Sequence, residues 1–246
     1  MIKELNHVGL LTPDMEESKR FYGDVLGGTV IRDHKDAQGS LFVYIQMALG
    51  VIELIRVPPD AANTGLAHVA FLIDDGKDLD GYYEELSGKG FQFTLAPKST
   101  AAGDGRLAFF NDHSGVSFEL IQREENIRIR DLTNPHIESF LHIAVCASPE
   151  AAKRCDAFYT NEMGFAKNGN RYAIGADALE LFVTSNPEVL ARPLRNISFG
   201  VRNCDETAAY LNSHGEQCSE IEPREDGSRW FNVTRKSGER IVFIGK

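Results

Sequence analysis

The 246-residue chain carries 26 Lys and Arg against 36 Asp and Glu, a formal charge of -10, with 42% hydrophobic and 25% charged residues. That length allows one large domain or two small ones, and the composition is that of an ordinary soluble globular chain. An acidic balance without a basic block argues against nucleic acid as a partner, no stretch approaches the roughly 20 apolar residues of a membrane span, and no apolar leader opens the chain. Cys146, Cys155, Cys204 and Cys218 form no C-x-x-C pair and read as reduced, mostly core residues of a cytoplasmic protein.

In chain order, residues 1–11 predict a strand around His7. Thr12-Pro13-Asp14 turns into a helix capped by Asp14, with Glu16 and Glu17 in its first turn and Phe21, Tyr22, Val25 and Leu26 on one apolar face. Gly27-Gly28 ends it, and strands follow at 29–32, 41–48 and 51–57, the last carrying Glu53. After a short linker the same order recurs: a strand at 66–73 around His68, a helix at 79–86, then strands at 91–95, 106–111 and 116–122, the last carrying Glu119. The charged stretch reaching Asn134-Pro135 reads as a linker. It places one domain at 1–124, the linker at 125–137 and a second domain at 138–246.

The second half repeats the cycle. A strand at 139–146 surrounds His142, a helix runs through Phe158-Tyr159 to Gly164, and strands follow at 166–168, 171–175 and 178–184, the last with Glu180. A strand at 194–201, a helix at 206–213 and strands at 217–221, 229–234 and 240–244 close the chain. Four β-α-β-β-β units therefore fill the length as an internal repeat. Phe21-Tyr22 matches Phe158-Tyr159, Gly27 matches Gly164, and Arg106 matches Arg229. In this register His7 falls on His142 and Glu53 on Glu180, whereas His68 falls on Asn196 and Glu119 on Val242. The second half has lost half of the set.

A lone carboxylate in a short apolar strand is costly unless it faces solvent or meets a cation. Mixed imidazole and carboxylate sets suit borderline divalent ions such as Zn, Ni, Co, Fe and Mn. An octahedral ion with four protein ligands keeps two adjacent positions for water or for two vicinal oxygens of a substrate, and it polarises a carbonyl. Elsewhere, His34, His136 and His214 read as surface residues, His113 as a turn residue, and Trp230 and Phe231 as core. Arg106 and Arg229 fit either an anionic substrate or a solvated sheet edge.

The opening Asn6-His7-Val8-Gly9-Leu10, Phe21-Tyr22 before Leu26-Gly27, Ala67-His68-Val69-Ala70-Phe71, and Asp112-His113-Ser114-Gly115 leading to Phe118-Glu119-Leu120 together resemble the vicinal oxygen chelate superfamily. That superfamily includes glyoxalase I, methylmalonyl-CoA epimerase, extradiol dioxygenases and bleomycin or fosfomycin resistance proteins. The resemblance implies an α+β chain of four βαβββ modules, forming two domains with open, cup-shaped mixed sheets. It also implies one divalent metal (Ni, Zn, Co, Mn or Fe) held by His7, Glu53, His68 and Glu119, with Glu53 or Glu119 also serving as catalytic base. A swapped closure would instead join His142 and Glu180 to His68 and Glu119. The His, Glu, His, Glu order is most similar to glyoxalase I, implying a lyase or isomerase that moves a proton through an enediolate of a small carbonyl substrate such as a thiol adduct. An epimerase, an extradiol dioxygenase and a metal-free binding protein are the alternatives. The expected partners are that small molecule and at most a second copy of the chain, without nucleic acid or membrane.

Overall fold

Residues 2–73, 78–123 and 127–246 are described in a computed structural model of the chain. The strand position expected at Met1, the domain end at Glu124 and the linker positions Glu125 and Asn126 lie outside the described residues. Among the described residues, no helix is long and apolar enough to cross a membrane.

Two open, eight-stranded mixed sheets form, one from each half of the chain. The first contains β1 (Ile2–Thr12), β2 (Thr29–Asp36), β3 (Gly39–Met47), β4 (Gly50–Arg56), β5 (Gly65–Ile73), β6 (Phe93–Ser99), β7 (Gly105–Asn111) and β8 (Ser117–Arg123), in the order β2-β3-β4-β1-β5-β8-β7-β6. The second contains β9 (Ser139–Ala147), β10 (Ala166–Asn168), β11 (Arg171–Ile174), β12 (Asp177–Val183), β13 (Leu194–Gly200), β14 (Glu222–Pro223), β15 (Arg229–Thr234) and β16 (Arg240–Gly245), in the matching order β10-β11-β12-β9-β13-β16-β15-β14. The helices are α1 (Met15–Lys19), α2 (Leu79–Gly88), α3 (Pro149–Ala157), α4 (Pro187–Leu190) and α5 (Cys204–Ser213).

Strand alternation sorts the residues by face. Val69, Phe118 and Phe110 form one cross-strand row, and Phe71, Leu120 and Ala108 the next, all without exposed surface. The second sheet repeats this layer with Ile197, Ile241 and Val233, then Phe199, Phe243 and Phe231. Each fully buried Phe of these rows contributes about 2 kcal/mol of apolar burial. The opposite faces carry the chemically distinctive residues: Ala70, Glu119 and Phe109 in the first sheet, and Ser198, Val242 and Asn232 in the second. Trp230, expected in the core beside Phe231, falls on this second face and is half-buried, because consecutive strand residues point to opposite sides.

The first helix departs from a plain α-helix. Asp14 caps it, its side chain accepting from the Glu17 N–H at 3.0 Å, as expected. Residues Arg20–Val25 then widen into a π-helical turn, closed by Leu26 N–H donating to the Phe21 carbonyl at 2.9 Å. The wider turn lets the adjacent Phe21 and Tyr22 both be fully buried. The same turn recurs at Phe158–Glu162, and both end on a glycine with positive φ, Gly27 at 70° and Gly164 at 73°. The strand expected at 217–221 is reduced to a single bridge, Cys218 to Val233, followed by the two-residue β14; Pro223 has no N–H to extend the ladder.

By contact density the chain divides into two compact units, each drawing on both halves. One comprises Met1–Val8, Ala67–Ile127 and Ala144–Arg195. Within it the Tyr159 hydroxyl donates to the buried Asp112 carboxylate, and Phe91 packs on Phe158 with ring centroids 4.7 Å apart. The other comprises Gly9–Leu66, Arg128–Ile143 and Asn196–Lys246. There Tyr22, equivalent to Tyr159, donates to Glu239 Oε1 at 3.1 Å, while Arg235 pairs with Glu17 and Glu216 and lies over the Phe21 ring. The tyrosine–carboxylate contact thus recurs, with the carboxylate supplied from the start of one turn and the end of the other.

Burial pushes the Glu239 carboxyl above its ordinary 4.5, although Ser237, its own backbone and Tyr22 hydrogen-bond to it. The folded chain therefore keeps a proton that the unfolded chain has lost, and stability falls as pH rises from about 4.5 through the raised folded value. Glu239→Gln is expected to flatten that slope and to raise Tm above neutral pH by about 2–4 °C, read from thermal unfolding at acidic and alkaline pH.

Candidate metal centre

The four central strands of the first sheet, in the order β4-β1-β5-β8, carry one candidate residue each: Glu53, His7, His68 and Glu119. All four are buried, His7 completely and Glu119 to 3% exposure. His7 Nε2 lies 3.1 Å from His68 Nε2, and Glu119 Oε2 lies 3.2 Å from the first nitrogen and 3.1 Å from the second. Glu53 offers a carboxylate oxygen such that the four donor atoms all lie within 4.8 Å of one another. The phenyl ring of Phe109, opposite Glu119 in the ladder, stands edge-on to His68 with centroids 5.2 Å apart.

The donor set fits a divalent ion. Three atoms spaced 3.1–3.2 Å on one octahedral face stand about 2.2 Å from its centre, the range of N and O bonds to borderline divalent metals. The other nitrogen of the His7 ring, Nδ1, lies 2.8 Å from Asn6 Oδ1, an acceptor that holds the ring proton and turns the Nε2 lone pair toward the triangle. Arg123 Nη1 also donates to Asn6 Oδ1, at 3.4 Å. Asn6→Ala is accordingly expected to weaken metal binding about 10–100-fold while leaving every candidate ligand in place, measured by competition with a chromophoric chelator. Burial would raise the Glu119 carboxyl, but hydrogen bonds and charge from His68 and His7 outweigh it and hold the group below its ordinary range.

The second sheet places Glu180, His142, Asn196 and Val242 on the corresponding strands β12, β9, β13 and β16. There His142 Nε2 lies 2.9 Å from the Ser198 hydroxyl, which accepts from Asn196 Nδ2 at 3.0 Å. The imidazole nitrogen whose counterpart faces Glu119 is thus within hydrogen-bond distance of a hydroxyl. Among the described residues, the group of three or more His, Cys, Asp or Glu side chains able to hold an ion is His7, Glu53, His68 and Glu119; the alternative set with His142 and Glu180 is not such a group.

The remaining candidates fall outside the centre. Arg106 and Arg229 each form a two-pronged pair with a carboxylate in the first turn of a helix, Asp80 and Asp205. His34 stacks on Phe42 and His136 on Tyr210, so both are half-buried rather than plain surface residues. The four thiols are free, and burial raises Cys155 to about 12, which leaves it inert as a nucleophile. Asn6 and Phe109 were not singled out by sequence reasoning. Asn6 precedes His7 directly, and Phe109 is found only through its register with Glu119.

The sequence model of the Glyoxalase/Bleomycin resistance protein/Dioxygenase superfamily matches residues 4–120. The chain is 31% identical over 135 residues to the uncharacterized protein YaeR of Escherichia coli, covering 50% of this chain and 98% of that protein. It is 27% identical over 215 residues to a catechol-2,3-dioxygenase of Bacillus subtilis, covering 75% of this chain and 72% of that one. The fold is similar to that of the Mn(II)-bound glyoxalase from Novosphingobium aromaticivorans, with a TM-score of 0.71 at 16% identity over 99% of this chain and 82% of that one.

Proposed function

Because this chain belongs to the glyoxalase/bleomycin resistance protein/dioxygenase superfamily, we propose that it is a metal-dependent enzyme of the glyoxalase type, acting on a small carbonyl substrate with vicinal oxygens. The observation that carries the reading is the fourth donor, Glu53, within 4.8 Å of the His7, His68 and Glu119 donor atoms. Four protein donors leave room for two substrate oxygens. A divalent ion bound there supplies Lewis-acid polarisation of a carbonyl and stabilises the charge of an enediolate.

The residues divide the work. Both imidazoles face Glu119 Oε2, which suits this carboxylate to binding the ion. Glu53, the fourth donor, on β4, is the carboxylate assigned to take the proton alpha to the carbonyl and return it to the neighbouring carbon. Asn6 sets the His7 tautomer. Phe109 covers the edge of His68 and keeps water from one side of the centre.

An extradiol dioxygenase is the second reading. It is favoured by the Bacillus subtilis relative, matched over 75% of this chain, and by the two-imidazole, one-carboxylate triangle that such iron chemistry uses. Protein loaded separately with Ni, Zn, Co, Mn and Fe(II) should be assayed on the hemithioacetal of a 2-oxoaldehyde, and on catechol with an oxygen electrode. Product from the hemithioacetal, abolished by Glu53→Gln with metal retained, supports the glyoxalase reading. Oxygen uptake with catechol that survives Glu53→Gln overturns it in favour of the dioxygenase.

A further inference from the structure

We propose that a cleft between the end of α2 and the π-helical turn after α3 is a binding site for a small monocarboxylate with an apolar body. The inference is independent of the reaction assigned to the metal centre, none of whose candidate ligands lines the cleft. The cleft lies wholly within the compact unit that holds Asp112 and Tyr159, and its volume is about 300 Å³, enough for a small molecule. One wall is a single face of α3 and the turn that follows it, where Arg154, Ala157, Phe158 and Asn161 recur at helical spacing. Lys89, Phe91 and His113 complete the lining. The Phe91 ring centroid lies 4.7 Å from that of Phe158 and 5.7 Å from that of His113, so three rings meet at the cleft.

The internal repeat explains why this place is open and what it would hold. Phe158 matches Phe21, which sets Arg154 against Glu17 and Ala157 against Arg20. Gly90 and Gly215, both with positive φ just past α2 and α5, set Phe91 against Glu216, and Ser114-Gly115 against Ser237-Gly238 sets Asp112 against Arg235. In the other unit an ion-pair network closes the equivalent place. Arg20 Nη2 donates to Glu216 Oε1 at 3.0 Å, and Arg235 pairs with both Glu216 and Glu17. In the cleft a methyl stands for the Arg20 side chain and a phenyl ring for the Glu216 carboxylate. The Glu17–Arg235 pair is reversed to Arg154 and Asp112, but the Asp112 oxygens are taken by Ser114, Val116, Tyr159 and Cys155. Lys89 and Glu162 pair with each other. Among the described residues, the side chains of Arg154, His113 and Asn161 have no hydrogen-bond or ion-pair partner. Arg154 is therefore the uncompensated charge of the lining. A guanidinium takes a carboxylate through two parallel hydrogen bonds. A ligand would bring the carboxylate that Phe91 lacks, with its apolar body against Phe91 and Phe158. The Glu162 carboxylate in the lining disfavours a second negative charge on the ligand.

The full chain should be titrated calorimetrically with phenylacetate, acetate, 2-phenylethanol and phenyl phosphate, at about pH 8 where the phosphate carries two charges. The His113 imidazole resonances, followed by NMR, report on the cleft itself. The expected result is saturable phenylacetate binding that shifts those resonances with the same midpoint, the other three compounds binding at least about tenfold more weakly. Arg154→Gln removes the cation and Ala157→Leu fills the space. Each should weaken phenylacetate at least about tenfold with an unchanged thermal midpoint, since both residues are exposed on α3 and both replacements are good helix formers. Glu119→Gln should leave the affinity as it was. No saturable response to phenylacetate would overturn the proposal. So would equal binding of any of the three comparison compounds, or phenylacetate binding that is lost in Glu119→Gln and kept in both cleft variants. Should Arg154→Gln not fold, Ala157→Leu decides alone.

Discussion

Glu119→Gln is expected to lower metal affinity by about 100-fold or more, ~3 kcal/mol, and to abolish any activity that depends on the ion. The size follows from what this carboxylate does. Its Oε2 is the corner shared by both imidazoles, 3.2 Å from His7 Nε2 and 3.1 Å from His68 Nε2. An amide at the same place removes the negative charge, and one of its two orientations points N–H donors at the nitrogens an ion would use. The side chain is otherwise nearly isosteric, and its strand neighbours Phe118 and Leu120 keep their places in the core, so the fold is expected to survive. Calorimetric titration with Zn, Ni and Mn checks the prediction; affinity within threefold of wild type for all three would count against the assignment.

Asp112→Ala is expected to cost about 3–5 kcal/mol of stability without touching the metal centre. The carboxylate is buried, and its Oδ1 accepts from Ser114 N–H at 2.9 Å, Ser114 Oγ at 2.7 Å and Val116 N–H at 2.8 Å. Its Oδ2 accepts from the fully buried Tyr159 hydroxyl and, at 3.7 Å, from Cys155 Sγ. Truncation strands those donors together. Burial, followed by the charge of Asp112, raises the Tyr159 phenol well above its ordinary range, so this hydroxyl stays a donor across the working pH range. Tyr159→Phe removes one donor and leaves the turn closed, and should cost only about 1 kcal/mol. The double variant should cost less than the sum of the two, because the contact between them can be lost only once. Urea unfolding of the three variants reads both values; a single Asp112→Ala variant within 1 kcal/mol of wild type would contradict this account of the turn.

The modules were legible because the chain states them locally and then repeats them. Asp14 before Glu16 and Glu17 marks a helix start, and Gly27 and Gly164 mark two helix ends at equivalent places. His7, Glu53, His68 and Glu119 stand out as single polar residues in short apolar strands. Their convergence is a different kind of fact. It depends on the strand order β4-β1-β5-β8, a long-range pairing that alternation within each strand does not contain. For the same reason the Asp112–Tyr159 and Tyr22–Glu239 contacts, which tie residues 47 and 217 positions apart, could not be read ahead of the structure. The π-helical turns escaped because the spacing of Phe21, Tyr22, Val25 and Leu26 also fits one face of an α-helix. Trp230 was misplaced beside Phe231 because the register with Ile244 puts it on the face of Val242 and Asn232 and gives the core position to Phe231.

The central claim is that the first sheet gathers one divalent ion and the second has given that role up. Elemental analysis of untagged protein, purified without chelators, tests it most directly in wild type, His7→Ala and His142→Ala. The account predicts about one metal per chain in wild type and His142→Ala, and a large loss in His7→Ala. Loss in His142→Ala with retention in His7→Ala, or no metal in wild type after loading with Ni, Zn, Co, Mn or Fe, would contradict it.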